Sequence, residues 1–125
     1  MKKRKLKLAD RLIAVIDVNK KSGLKRILSG IGGKVSTVKL GLEMIYSAGT
    51  GVVGIARRSG YDVMLDAKLM DIPNTVRGAS LAIGKLGPSI VTIHTLGGKK
   101  MIEASLEALK EQSAKDLAIR PLLFG

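Results

Sequence analysis

The feature that most limits what this chain can fold into is a repeated alternation of β-type runs and helical stripes, separated by glycine-rich joints. Arg11 to Asp17 is the first candidate strand. Leu24, Ile27, Leu28 and Ile31 follow at the i, i+3, i+4, i+7 spacing of an amphipathic helix, which Gly32-Gly33 stops. Val35 to Leu40 is a second strand, and a loop holding Gly41, Tyr46 and Gly49 leads to a short helix through Val52, Ile55 and Ala56. Tyr61 to Lys68 reads as the third strand, followed by a helix carrying Val76, Ala79, Ile83 and Leu86 and closed by Gly87. Ser89 to His94 is the fourth strand, and Gly97-Gly98 precede a helix with Ile102, Leu106 and Leu109 inward and Glu103, Glu107 and Glu111 outward. Leu117 to Phe124 looks like the beginning of a fifth strand, weakened by Pro121.

Strands joined through helices must run parallel, because a parallel pair needs a long crossover and the crossover helix covers one face of the sheet. The fold class is therefore α/β. A complete (β/α)8 barrel takes about 250 residues, and this chain has 125. It is long enough for a (βα)4 half of a TIM barrel or for a small open α/β sheet, and periodicity alone does not separate the two. Aromatic residues make up 2%, so the core has to be aliphatic.

Charge and composition exclude several functions. There is no cysteine, which removes disulfides and thiolate metal sites, and one histidine alone makes no metal centre. No apolar run approaches the roughly 20 residues needed to cross a bilayer, and the basic opening lacks the apolar core of a secretory signal. These features suit a cytoplasmic protein. The net charge of +12 suggests a polyanionic partner, but five of the basic residues (Lys2, Lys3, Arg4, Lys5 and Lys7) crowd into the first seven positions. A short terminal run of this kind is read as a solvated tail. Without stacking aromatics or a recognition helix, no specific nucleic-acid binding is expected. Residues 1–10 are accordingly assigned as a basic lead-in and 11–125 as the α/β domain.

The third strand carries charges that a buried strand does not tolerate without purpose. Val63, Leu65 and Ala67 share one face, while Asp66 and Lys68 share the other, at the strand's C-terminal end. Active sites of barrel-type sheets are built at that end. Asp17 closes the first strand, Lys39 lies one residue from the end of the second, and His94 closes the fourth. Asp17, Lys39, Asp66 and Lys68, with Asp71 just beyond the third strand, make a row of alternating charge in which each desolvated group has an opposite neighbour. The simpler explanations are that Asp17 or Asp71 caps a helix and that a strand-end lysine reaches to water. Five such residues at corresponding positions point instead to a site. His94 fits a structural or interface role better than a catalytic one.

The segment Asp66-Ala67-Lys68-Leu69-Met70-Asp71-Ile72-Pro73-Asn74-Thr75 resembles the DxKxxDIPNT signature of orotidine 5′-phosphate decarboxylases. Ile16-Asp17-Val18-Asn19, Val38 to Glu43, Tyr46 to Gly49 and His94 to Gly98 agree with the same family, in the right order. A bare DxKxxD is shared with sibling sugar-phosphate decarboxylases and aldolases, and the continuing Ile-Pro-Asn-Thr favours the orotidylate branch. Met70 departs from the family's usual histidine.

The resemblance implies the N-terminal half of a TIM barrel that works without metal or organic cofactor. It implies Lys68, Asp66, Lys39 and Asp71 as catalytic residues. It implies Asp17, Lys39, Asp66, Lys68, Asp71, Ile72 and Thr75 as the residues that contact orotidine 5′-monophosphate or its product, uridine 5′-monophosphate. It further implies a homodimer in which Asp71 and Thr75 reach the partner's substrate. In the family, the phosphate grip, the pyrimidine-facing serine and the closing loop come from the second half of the barrel, which has no counterpart in these 125 residues. The chain is expected to be inactive or nearly so alone. The alternative is a self-associating half-barrel scaffold, its inward face formed by Ile13, Val15, Val35, Met64 and Ile90.

Overall fold

A computed structural model of the chain describes residues 7–125. The basic positions 2–5 lie outside the described residues. Two compact units divide the chain, Met1–Val63 and Met64–Gly125.

The described part of the first unit opens with a 3-10 turn, Leu8–Arg11, and continues through β1 (Ile13–Ile16), α1 (Lys21–Ile31), β2 (Thr37–Leu40), α2 (Leu42–Ala48) and α3 (Gly51–Arg58). Its last residues begin β3 (Asp62–Leu69), where the Asp62 N–H donates to the Ser36 carbonyl at 2.9 Å. β1 and β2 are parallel, with Ile13 opposite Thr37 and Val15 opposite Lys39. Alternation therefore sorts the pair into two faces. Ile16, Val38 and Leu40 are fully buried, together with Leu24 of α1, Met44 of α2 and Val52, Val53 and Ala56 of α3. Ile13 and Val15 on the opposite face are 43% and 55% exposed. α1 ends at Gly32, whose φ of 56° is a left-handed conformation that glycine adopts without a Cβ penalty. The Tyr61 hydroxyl seals that end, donating to the Leu28 carbonyl at 2.8 Å and accepting the Gly33 N–H at 3.2 Å.

The second unit holds the rest of β3, then α4 (Pro73–Leu86), β4 (Ile90–Ile93), a 3-10 turn (Thr95–Gly97), α5 (Lys99–Lys115) and β5 (Leu122–Phe124). β3, β4 and β5 are parallel neighbours, with Met64, Ile90 and Leu122 aligned in one row and Thr92 opposite Phe124 in the next. Val76, Ile93 and Met101 form a buried cluster on the helix side, packed against by Leu69, Ile102 and Leu123. α4 and α5 approach closely through small residues. The Ser80 and Ser105 hydroxyls, both fully buried, bond at 2.7 Å. A Cβ at Gly84 would lie 2.8 Å from the Gln112 side chain, so only glycine fits there without displacement.

The strand–helix alternation is as expected, with four local corrections. β1 begins at Ile13 rather than Arg11, because Leu8–Arg11 is wound into the 3-10 turn that docks Asp10 on the Ser36 hydroxyl at 2.6 Å. The segment containing Tyr46, expected as a loop, is helix α2; it is only two turns long and buries Met44 alone, too little to show a periodicity. On α5 the fully enclosed positions are Met101, Ser105, Ala108 and Leu109, while Ile102 and Leu106 are only half-buried. The fifth strand is confined to its last three residues, since Leu117 takes a left-handed φ of 52° and the residues before Pro121 pair with no strand.

Candidate active site

β3 positions the central pair. Val63 and Leu65 turn toward the helices and are buried, and the next residue, Asp66, is turned the other way and is only 7% exposed. Regular pairing with β4 then breaks: Leu65 is in register with Val91, but the next registered pair is Leu69 with Ile93. Inside this irregularity Lys68 has a φ of 49°, a left-handed conformation that is costly for a residue with a side chain. Its backbone N–H leaves the ladder and donates to the Thr92 hydroxyl at 2.9 Å. Pairing resumes one residue later, where the His94 N–H donates to the Leu69 carbonyl at 2.9 Å.

This kink brings the Lys68 ammonium onto Asp66. Nζ donates to Asp66 Oδ2 at 2.6 Å, and the Thr92 hydroxyl donates to Oδ1 at 2.8 Å, so both carboxylate oxygens are held. The two partners differ in exposure, with 48% of the Lys68 side chain open to solvent against 10% for Asp66. A buried carboxylate thus anchors a cation whose side chain is half open to solvent, an arrangement suited to presenting positive charge to a ligand.

The other expected residues fall at strand ends as anticipated. In the first unit, Lys39 lies on β2 opposite Val15, and Asp17 follows the last residue of β1. The Asp17 carboxylate turns toward the end of β2, where Oδ1 is 3.7 Å from the place a Cβ would take on Gly41. Asp17 does not cap α1, whose N-cap is Lys20. In the second unit Asp71 is not a helix cap either: α4 starts at Pro73 with Ile72 in the capping position, and Asp71 Oδ1 accepts the adjacent Ile72 N–H at 2.6 Å. Asp71, Ile72 and Thr75 are all exposed. His94 is exposed at the start of the 3-10 turn after β4.

Thr92 is the residue that sequence reasoning missed. Its signal was present, because alternation along Ile90–Ile93 sets it on the face opposite the buried Val91 and Ile93. A threonine in a strand is so ordinary that nothing marked it. Among the described residues no group of three or more His, Cys, Asp or Glu could hold a metal ion, and no helix is long and apolar enough to cross a membrane.

Parallel strands with crossover helices, and a charged pair at the C-terminal end of a strand, define an α/β protein of the barrel-enzyme class. Residues 10–122 match the orotidine 5′-phosphate decarboxylase / HUMPS family, and the chain belongs to it. It is 38% identical over 114 residues to an orotidine 5′-phosphate decarboxylase of Cutibacterium acnes, covering 90% of this chain and 48% of that protein. One from Listeria monocytogenes is 38% identical over 98 residues, 78% of this chain and 42% of the relative. The crystal structure of orotidine 5′-phosphate decarboxylase from Lactobacillus acidophilus superposes with a TM-score of 0.81 at 36% identity, over 90% of this chain and 50% of that one. The chain spans about half the length of the curated relatives it matches, and the fold is the matching half of their barrel.

Proposed function

We propose that this chain contributes the N-terminal half of an orotidine 5′-phosphate decarboxylase, converting orotidine 5′-monophosphate to uridine 5′-monophosphate and CO2 in pyrimidine biosynthesis. The Asp66–Lys68 pair at 2.6 Å, set within Asp66 to Thr75 of the signature, carries this reading. In the reaction the bond from C6 to the carboxylate breaks and its electron pair remains on C6. No electron sink adjoins that carbon, so the developing charge must be met by the protein. The Lys68 ammonium, already oriented by Asp66, stabilises it and then delivers a proton to C6. Asp66 stands beside the departing carboxylate and keeps the Lys68 side chain oriented. Asp17 and Lys39 hydrogen-bond the ribose hydroxyls. Asp71, Ile72 and Thr75, exposed around the start of α4, serve the substrate held by the partner of a cytoplasmic homodimer, and residues 1–10 form a basic lead-in.

Remote binding energy from the phosphate drives chemistry of this kind, and the groups that grip it belong to the half of the family barrel outside these residues. The chain alone is therefore expected to show at most trace turnover in a direct ultraviolet assay, with activity appearing when the remaining half of a relative such as the C. acnes enzyme is supplied. Robust turnover by the 125-residue chain alone, abolished by Lys68→Ala, would refute the division of labour.

A self-associating scaffold is the second reading, favoured by the exposure of Val15, Leu122 and Phe124 on strands of the sheet, at 55%, 56% and 47%. Exposed apolar strand faces and edges cost roughly 25 cal/mol per Å2 of forgone burial and invite pairing. Light scattering over a dilution series reads it directly. A monodisperse monomer of 13.3 kDa at every concentration would exclude it.

A further inference from the structure

We propose that Thr92 is a positioning residue for the Asp66–Lys68 pair, its single hydroxyl holding both the carboxylate of Asp66 and the strained backbone of Lys68; this rests on the reading of that pair as the catalytic site. The hydrogen bonding leaves only one assignment. A hydroxyl has one proton to give and two lone pairs to accept with. The Lys68 backbone N–H can only donate, so at 2.9 Å the hydroxyl oxygen accepts it. An ionised carboxylate can only accept, so at 2.8 Å the hydroxyl proton goes to Asp66 Oδ1. The remaining oxygen of Asp66 takes the Lys68 ammonium at 2.6 Å. Asp66, Thr92 and Lys68 thereby close a ring of three bonds, each with its donor and acceptor in the required sense.

The ring explains how a left-handed lysine persists in a strand. Where register is lost between Leu65 and Leu69, the Lys68 N–H has no place in the β3–β4 ladder. Without a protein acceptor that N–H would have to turn to water. The Thr92 side chain supplies the acceptor from the neighbouring strand, and so stabilises the φ of 49° that returns the ammonium to Asp66. It reaches Lys68 through the backbone and through Asp66, and contacts no reacting atom itself.

The test is nuclear magnetic resonance on the intact, isotope-labelled chain, following the titration of the Asp66 carboxyl carbon and the solvent exchange of the Lys68 amide. Thr92→Val keeps the shape and deletes the hydroxyl. It is expected to raise the Asp66 midpoint by about one pH unit, since one charge-assisted bond to the ionised form is lost, and to speed Lys68 amide exchange by about tenfold or more. Thr92→Ser keeps the hydroxyl and drops the methyl, and is expected to preserve both wild-type values. Wild-type behaviour in Thr92→Val overturns the proposal. If Thr92→Val does not fold, Thr92→Ser decides alone: a raised Asp66 midpoint with an unprotected Lys68 amide would show that packing of the methyl, not the hydroxyl, matters, and would equally overturn it. Neither readout involves turnover, so failure here is distinguishable from failure of the decarboxylase assignment.

Discussion

Lys39 and Lys68 are the same residue type near the C-terminal ends of successive strands, yet their backbones differ sharply. Lys39 sits in an unbroken parallel register, opposite Val15 and one residue before the Ile16–Leu40 pair. Lys68 sits inside a register break, in a left-handed conformation, with its N–H diverted to a side chain. Among the described residues only one other non-glycine, Leu117, has a positive φ, and it lies in an exposed turn after α5. A strained conformation in an otherwise regular strand costs about 1 to 3 kcal/mol. The comparison teaches that alternation alone keeps one lysine in the ladder, whereas the lysine bonded to a buried carboxylate two residues earlier sits where the ladder is broken. The strain accompanies the bond to Asp66.

The largest expected difference between the two lysines is in catalysis. In the barrel completed with a relative's second half, Lys68→Ala should lower turnover by about a thousandfold or more, the scale of losing a preorganised charge aimed at the transition state. Lys39→Ala should cost roughly ten- to a hundredfold, the worth of a hydrogen bond to bound substrate. Equal losses in the ultraviolet assay would mean that the backbone contrast has no functional counterpart.

Stability should separate them in the opposite sense. Both Lys68→Gly and Lys68→Ala remove the ammonium, so they differ only in backbone. The glycine variant should be the more stable by about 1 kcal/mol, because glycine occupies a positive φ freely. At position 39 the order should reverse by about 0.5 to 1 kcal/mol, since glycine in a regular strand weakens it. Urea melts of the four variants read this directly, and the same order at both positions would remove the strain argument.

The smallest effect calibrates the Asp66–Lys68 pair against an ordinary one. Glu111 on the outer surface takes a hydrogen bond from Lys115 at 2.6 Å and also pairs with Arg77. The hydrogen bond and charge of Lys115 hold its pKa below the usual 4.5 against an opposing desolvation, and Arg77 adds a lesser lowering. A lowered folded-state pKa means that the stabilisation is present above the unfolded value and disappears as pH falls through the folded one. Glu111→Gln should therefore cost a small amount of thermal stability at pH 7, less in high salt, and none once the carboxyl is protonated in both states. A pH-independent difference in melting temperature would show that the pair contributes nothing electrostatic.

The alternation of elements and the helix-facing core were legible in the sequence because they depend on local periodicity. Leu24 and Leu28 on α1, and Val63 and Leu65 on β3, are buried as their spacing required. Strand-end placement of Asp17, Lys39, Asp66 and Lys68 followed from the same period of two. α2 was not legible, because a helix of seven residues that buries one side chain has no period to detect. Nor was the true inner stripe of α5, where serine and alanine are buried by the closeness of α4 rather than by their own hydrophobicity.

By itself, then, the sequence determined the class of fold and the identity of the charged residues, since hydrophobic period and motif are properties of neighbours along the chain. Only the tertiary structure decided how Lys68 reaches Asp66. Strict alternation predicts that residues two apart share a face, but it does not predict the register break that carries Lys68 to a φ of 49° or the Thr92 hydroxyl, 24 positions away along the chain, that accepts its N–H. Such a contact depends on which atom of a neighbouring strand lies opposite a missing ladder bond, and that is settled by register between strands, which no local pattern encodes.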